Sequence, residues 1–65
     1  MCEFKVYIEE NGKERMEVAR NIIMIKKKEG VILLVNDMGE VTMVNNANIE
    51  EANTFTQEMI LRRGD

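Results

Sequence analysis

The chain holds one thiol, Cys2, and no histidine. Those two facts settle most of the chemistry open to it. A catalytic nucleophile needs an adjacent base, most often histidine, and there is none. A closed zinc site needs four ligands, drawn mainly from cysteine and histidine, and one chain supplies a single cysteine. Gly12, Gly30, Gly39 and Gly64 stand apart from one another, so no glycine-rich phosphate loop is formed. Twelve carboxylates leave acid–base pairs open, yet a chain of 65 residues has little room for a cleft lined by them. The expectation is a protein that is not an enzyme.

Cys2 supports two readings. It shares the register of Phe4, Val6 and Ile8, which makes it a small hydrophobe on a core-facing strand. It also follows Met1 directly, and a thiolate near a chain terminus can chelate a metal together with neighbouring backbone nitrogens. Thiolate and nitrogen donors suit a borderline ion such as Ni(II), which accepts square-planar geometry. If Met1 is removed, the Cys2 amine and sulfur form such a chelate directly. One chain does not readily complete the site, whereas two chains about a two-fold axis each supply one sulfur and one nitrogen. Glu3 is either a weak further ligand or a solvent-facing partner of Lys5 on the same strand face.

Lys26, Lys27 and Lys28 form the strongest cationic cluster. Either they are a solvated strand end whose charges discourage edge-to-edge aggregation, or they contact phosphate as part of a small RNA-binding module, joined by Arg62 and Arg63. Single-stranded RNA recognition usually needs aromatic stacking platforms, and only Tyr7 is expected on an exposed strand face. Met16, Met24, Met43 and Met59 fall at apolar strand positions, which favours core or dimer packing over thioether ligation of a metal.

The surrounding composition is that of one small domain, residues 1–65. Apolar residues make up 45% of the chain, with only Phe4, Tyr7 and Phe55 aromatic, so Val, Ile, Leu and Met must build the core. A core this thin welcomes a partner chain. One cysteine excludes an internal disulfide and suits a reducing compartment. No apolar run approaches the ~20 residues that span a bilayer, and the start lacks the pattern of a secretory signal. The expected location is the cytoplasm. A net charge of −3 with a pI near 4.9 argues mildly against nucleic acid.

Periodicity predicts an all-β fold. Cys2 to Glu9 alternates strictly, Asn11-Gly12 is a hairpin signal, and Arg15 to Ala19 alternates again before Asn21 breaks the segment. Ile22 to Ile25 is a β-branched run leading into the lysines, and Glu29-Gly30 is a turn. Val31 to Val35 is wholly apolar, as expected of a strand covered on both faces. Asn36 to Gly39 is a further turn and Val41 to Val44 a further strand. Turn signals every eight to twelve residues suggest a small barrel or sandwich. From Asn48 to Arg62 two readings stand: strands at Ile49 to Asn53 and Glu58 to Arg62 around a turn, or a helical segment capped by Asn48. The strand reading is favoured, with room for a short helical turn. The tail, Arg63-Gly64-Asp65, is expected to fray.

Met1-Cys2-Glu3-Phe4-Lys5-Val6-Tyr7, Glu17-Val18-Ala19-Arg20-Asn21-Ile22, Glu29-Gly30-Val31 with the apolar strand after it, and Met59-Ile60-Leu61 together resemble the CooT family. The resemblance runs over nearly the whole chain and is most specific at Met1-Cys2. It implies a small SH3-like β-barrel, a homodimer, and Ni(II) held between two subunits through the second-position cysteine, here Cys2. It also implies a metalloenzyme client, since the best-studied setting is nickel handling for carbon monoxide dehydrogenase. Members are also labelled predicted RNA-binding proteins, which keeps the Lys26 to Lys28 reading open. Thr54 to Gln57 departs from the short glycine turn that the family leads one to expect. The combined expectation is a non-catalytic nickel-binding carrier or chaperone, with an RNA-binding module as the alternative and a ligand-free structural adaptor as the third possibility.

Overall fold

The computed structural model describes residues 3–64. They form six strands: β1 Phe4–Glu10, β2 Met16–Lys28, β3 Val31–Asn36, β4 Val41–Asn45, β5 Ala47–Asn53 and β6 Glu58–Arg63. These make one curled sheet in the order β4-β3-β2-β1-β6-β5, a small barrel-like architecture. No described residue is helical, so none forms a helix that could cross a membrane. The all-β expectation is met, and the Asn48–Arg62 segment resolves into β5, a turn and β6.

The turns follow from their residues. Asn11 and Gly12 both take positive φ, 47° and 74°, and the Lys13 N–H donates to the Glu10 carbonyl at 2.7 Å. That is the backbone an Asn-Gly hairpin favours. In the β3–β4 turn, the Asn36 side-chain oxygen accepts from the Met38 and Glu40 N–H groups, each at 2.9 Å. Between β5 and β6, Asn53 accepts from the Phe55 and Thr56 N–H groups, and Gln57 supplies the positive φ of 60°. Asn53 and Gln57 thus build, without glycine, the turn that left this segment's topology open in the sequence.

β2 differs from its expected form. It is one strand of 13 residues, not two segments broken at Asn21. Asn21 adopts a φ of 57°, and the β1 register slips between Val6↔Ala19 and Phe4↔Ile22. This is a bulge, which bends a strand without ending it. The Asn21 carbonyl still accepts from the Asp37 N–H at 3.0 Å. The bend lets Met16–Ile22 pair with β1 and Ile22–Lys28 pair with β3, so β2 carries the sheet around its own curl.

The concave face is the core. Val6, Ile8, Ile22, Ile32, Leu34, Val44, Ala47, Met59 and Leu61 are buried there, with Phe4, Val18, Ala19 and Ile25 packed around them. Each fully buried aliphatic side chain contributes about 1.5–3 kcal/mol. The core is thin, because the Cα trace measures only 14 Å along its shortest axis.

Several packing expectations need correcting. Of the four methionines placed at apolar strand positions, only Met59 is buried. Met16, Met24 and Met43 are exposed. β3 is covered on one face only: Ile32 and Leu34 are fully buried, while Val31, Leu33 and Val35 are half-exposed. The outer face of β3 therefore lacks the cover that β6 has, where the consecutive residues Met59, Ile60 and Leu61 are all buried. The tail is anchored as far as Arg63, which belongs to β6 and holds Glu10 and Asn45; Asp65 lies outside the described residues.

Candidate metal centre and lysine cluster

β1 carries the start of the chain. Phe4 pairs with Ile22 and packs against the core, and the Lys5 N–H donates to the Gln57 carbonyl at 3.0 Å. The residues that follow Cys2 are therefore held by a central strand. Cys2 itself, the expected metal ligand, lies outside the described residues. Glu3 is half-buried just before β1. Its expected pairing with Lys5 is not among the ion pairs of the described residues, which are Arg15–Glu9, Arg20–Glu17, Arg62–Glu50 and Arg63–Glu10. Among the described residues, no three carboxylates come together as metal ligands would.

Lys26, Lys27 and Lys28 end β2, and all three are exposed. Strand geometry splits them, because alternate side chains point to opposite faces. Lys26 and Lys28 stand opposite Leu33 and Val31 on the outer face. Lys27, opposite the buried Ile32, turns the other way, and its Nζ donates to the Asn48 side-chain oxygen at 2.6 Å. Arg62 and Arg63, expected to join the cluster, are engaged with Glu50 and Glu10. The five cations therefore do not form one phosphate-binding surface. All four arginines of the chain are ion-paired in this way.

Among the described residues, the ionisable pair that perturbs itself most clearly is Glu17 with Arg20. The Arg20 guanidinium donates to both Glu17 carboxylate oxygens, at 2.7 and 3.0 Å. That hydrogen bonding holds the Glu17 carboxyl below its ordinary value, with the nearby charges of Arg20 and Lys5 acting in the same direction. This pair lies at the protein surface.

An outer apolar surface lies around β3, whose apolar run Val31 to Val35 predicts cover on both faces. Met24, Val35 and Val41 stand in one cross-strand row, and Leu33 and Met43 follow Lys26 in the next. Met24, Val41 and Met43 are 52%, 57% and 61% exposed. The signal was available in Val31 to Val35, whose both-faces apolar pattern promised cover that the chain itself does not provide.

Comparison with known proteins places this architecture. The family model for CO dehydrogenase accessory protein CooT matches residues 1–62. The chain belongs to the CooT family. Among solved structures, a crystal structure assigned as CooT from Carboxydothermus hydrogenoformans superimposes with a TM-score of 0.84 at 23% sequence identity, covering 98% of this chain and 100% of that one. At that identity the likeness speaks for the fold. None of the curated protein sequences matches this chain.

Proposed function

We propose that this chain is a non-catalytic nickel-binding accessory protein, in which two copies share one Ni(II) ion through Cys2. The observation that carries the reading is the family match over residues 1–62, which includes the chain's lone thiol at position 2. The donor chemistry fits. A thiolate with backbone nitrogens matches a borderline divalent ion, and a chain without histidine has no imidazole to compete for it. The described residues assemble no alternative cluster, so a second chain is the natural source of the remaining donors. Nickel here is cargo destined for a metalloenzyme, with a carbon monoxide dehydrogenase as the client that the family description suggests. A reduced thiol ligand suits a reducing compartment such as the cytoplasm. Glu3, half-buried beside Cys2, is the one described carboxylate adjoining it in sequence and serves as a minor ligand or a tuning charge.

Calorimetric titration with Ni(II), of the wild type and of Cys2→Ser, tests the reading. The expected result is one ion per two chains for the wild type, sulfur-to-nickel charge-transfer absorption, and loss of both in the variant. Equal affinity in wild type and variant would remove Cys2 as the ligand. The RNA reading has less support because the lysines divide between two faces. A salt-independent or absent interaction with short single-stranded RNA excludes it.

A further inference from the structure

Among the described residues, the two most exposed large hydrophobic side chains are Phe55, 95% exposed, and Met38, 80% exposed. They occupy the same position in the same kind of turn. Each follows an asparagine by two residues and donates its backbone N–H to that asparagine's side-chain oxygen, Met38 to Asn36 and Phe55 to Asn53, both at 2.9 Å. A second N–H, from Glu40 or from Thr56, donates to the same oxygen. The two turns are thus braced by their own hydrogen bonds, and each sets an apolar side chain at its tip. The other connections between strands turn on Asn11-Gly12, Glu29-Gly30 and Asn46, with no apolar residue among them. Single hydrophobics scattered over a surface need no explanation, whereas this recurrence does. Phe55 is one of only three aromatic residues in the chain, and it takes no part in the core. Both turns also lie level with the first residues of β1. The Lys5 N–H donates to the Gln57 carbonyl, and the Asp37 N–H donates to the carbonyl of Asn21, next to Ile22, which pairs with Phe4.

We infer that the two turns are a docking surface for the client metalloenzyme, with Phe55 as the principal anchor and Met38 as the lesser one. Phe55 seats in an apolar pocket of that enzyme rimmed by lysine or arginine. The identity of the partner rests on the function proposed above; the docking surface itself is read from the turns. Charge selects the occupant. From Ala47 to Glu58 the chain carries Glu50, Glu51 and Glu58 and no cation, and from Asn36 to Glu40 it carries Asp37 and Glu40 and no cation. The nearest cations are spoken for in part: Arg62 pairs with Glu50, and Lys5 lies beside Glu58. Both apolar tips therefore stand in acidic surroundings. Such surroundings repel phosphate, so an anionic membrane and a nucleic acid are poor occupants for an aromatic ring placed here. A second copy meeting this surface about a two-fold axis brings the same acidic turns and is repelled as well. A protein pocket with an apolar floor and a cationic rim satisfies both the ring and the charges. Because Asn53 already fixes the turn, little further ordering is needed when the ring binds.

Calorimetric titration of the metal-free chain into nickel-free carbon monoxide dehydrogenase tests the surface without involving nickel uptake. Binding is expected, and it weakens as salt rises, because the acidic turns face a cationic rim. Phe55→Ser lowers affinity about 30-fold, the loss typical of an interface anchor, and Met38→Ser lowers it less. Asn53→Ala keeps the ring but frees the turn, so it also weakens binding. Met16→Ser, at an exposed methionine on β2 outside both turns, leaves affinity unchanged. Circular dichroism of Phe55→Ser matches the wild type, since the ring takes no part in the core. Nickel titration of Phe55→Ser also matches the wild type. A chain that docks but takes up no nickel therefore sinks the proposed function and leaves the docking surface standing. Absence of binding by the wild type, or equal affinity in Phe55→Ser, overturns the inference. So does an equal loss in Met16→Ser, which would mark general apolar adhesion. Phe55-dependent binding to phosphatidylglycerol vesicles or to oligouridylate, or a fall in sedimenting mass in Phe55→Ser, overturns it in favour of lipid, RNA or a second copy.

Discussion

The Arg63 side chain donates through Nε to the Asn45 backbone carbonyl at 3.1 Å, tying the last strand to the end of β4. The same guanidinium reaches Glu10 Oε2 at 2.9 Å on β1. Three strands distant in sequence thus meet at one planar group, a task suited to arginine's fixed fork of donors. Both partners of the ion pair are about one-third exposed, so the ionic part is modest. Arg63→Ala should lower stability by about 1 kcal/mol in urea unfolding. Arg63→Lys should recover little of it, because one ammonium cannot serve both acceptors in that geometry. Full recovery by lysine would show that charge alone matters there.

Core and outer apolar residues should respond in opposite ways. Leu34 is fully buried, and Leu34→Ala should cost about 2–5 kcal/mol. That is a large share of the ~5–15 kcal/mol typical of a whole domain, so the variant should be largely unfolded at 37 °C by circular dichroism. Met43→Ala, at an exposed position, should change the free energy of unfolding by less than ~0.5 kcal/mol.

The Glu17 carboxyl should titrate below the ordinary carboxylate value, and Arg20→Gln should move it back up. Carbon NMR of the side-chain carboxyl reads both. The sign follows from the lowered folded value. The stabilisation is present at neutral pH, persists down to the unfolded carboxylate value, and is lost as pH falls through the lower folded value. An unchanged Glu17 titration in Arg20→Gln would show that the hydrogen bonds from Arg20 are not the cause.

Nickel affinity should fall as pH falls, because protons compete for the Cys2 thiolate. Titrations across the range from pH 8 to pH 6 should show weakening binding with proton release on metal uptake. Affinity independent of pH would point to carboxylate ligands in place of the thiolate.

Local features of the fold were legible in the sequence, and long-range ones were not. The alternation around Phe4, Val6 and Ile8 gave the inner face of β1 correctly, because burial and period are both local. Asn11-Gly12 gave its hairpin because both residues accept positive φ. Asn21 was misread as a strand break, since the same backbone tolerance serves a bulge as well as a turn. Nothing in the pattern of Lys5 to Glu10 indicated that its neighbour would be Glu58–Arg63, running parallel. Arg63 looked like a loose tail because its partners, Glu10 and Asn45, are close only after folding. At the candidate site, a lone thiol at position 2 was visible from composition alone. The division of the lysines between two faces follows from strand alternation, which a run of three like charges masks as a single cluster.

The parallel pairing of β1 with β6 has a consequence for synthesis. Lys5 lies beside Glu58 and Glu10 beside Arg63, inside the sheet and away from both edges. A ribosome releases β1 long before β6, so the hairpins β1–β2 and β2–β3 can form early while one side of β1 stays open. The pairing with the greatest sequence separation comes last and carries the slow loop-closure step. A nascent chain stalled before residue 58 would therefore expose the inner residues Val6 and Ile8 together with an unpaired central edge, a form suited to capture by chaperones or proteases.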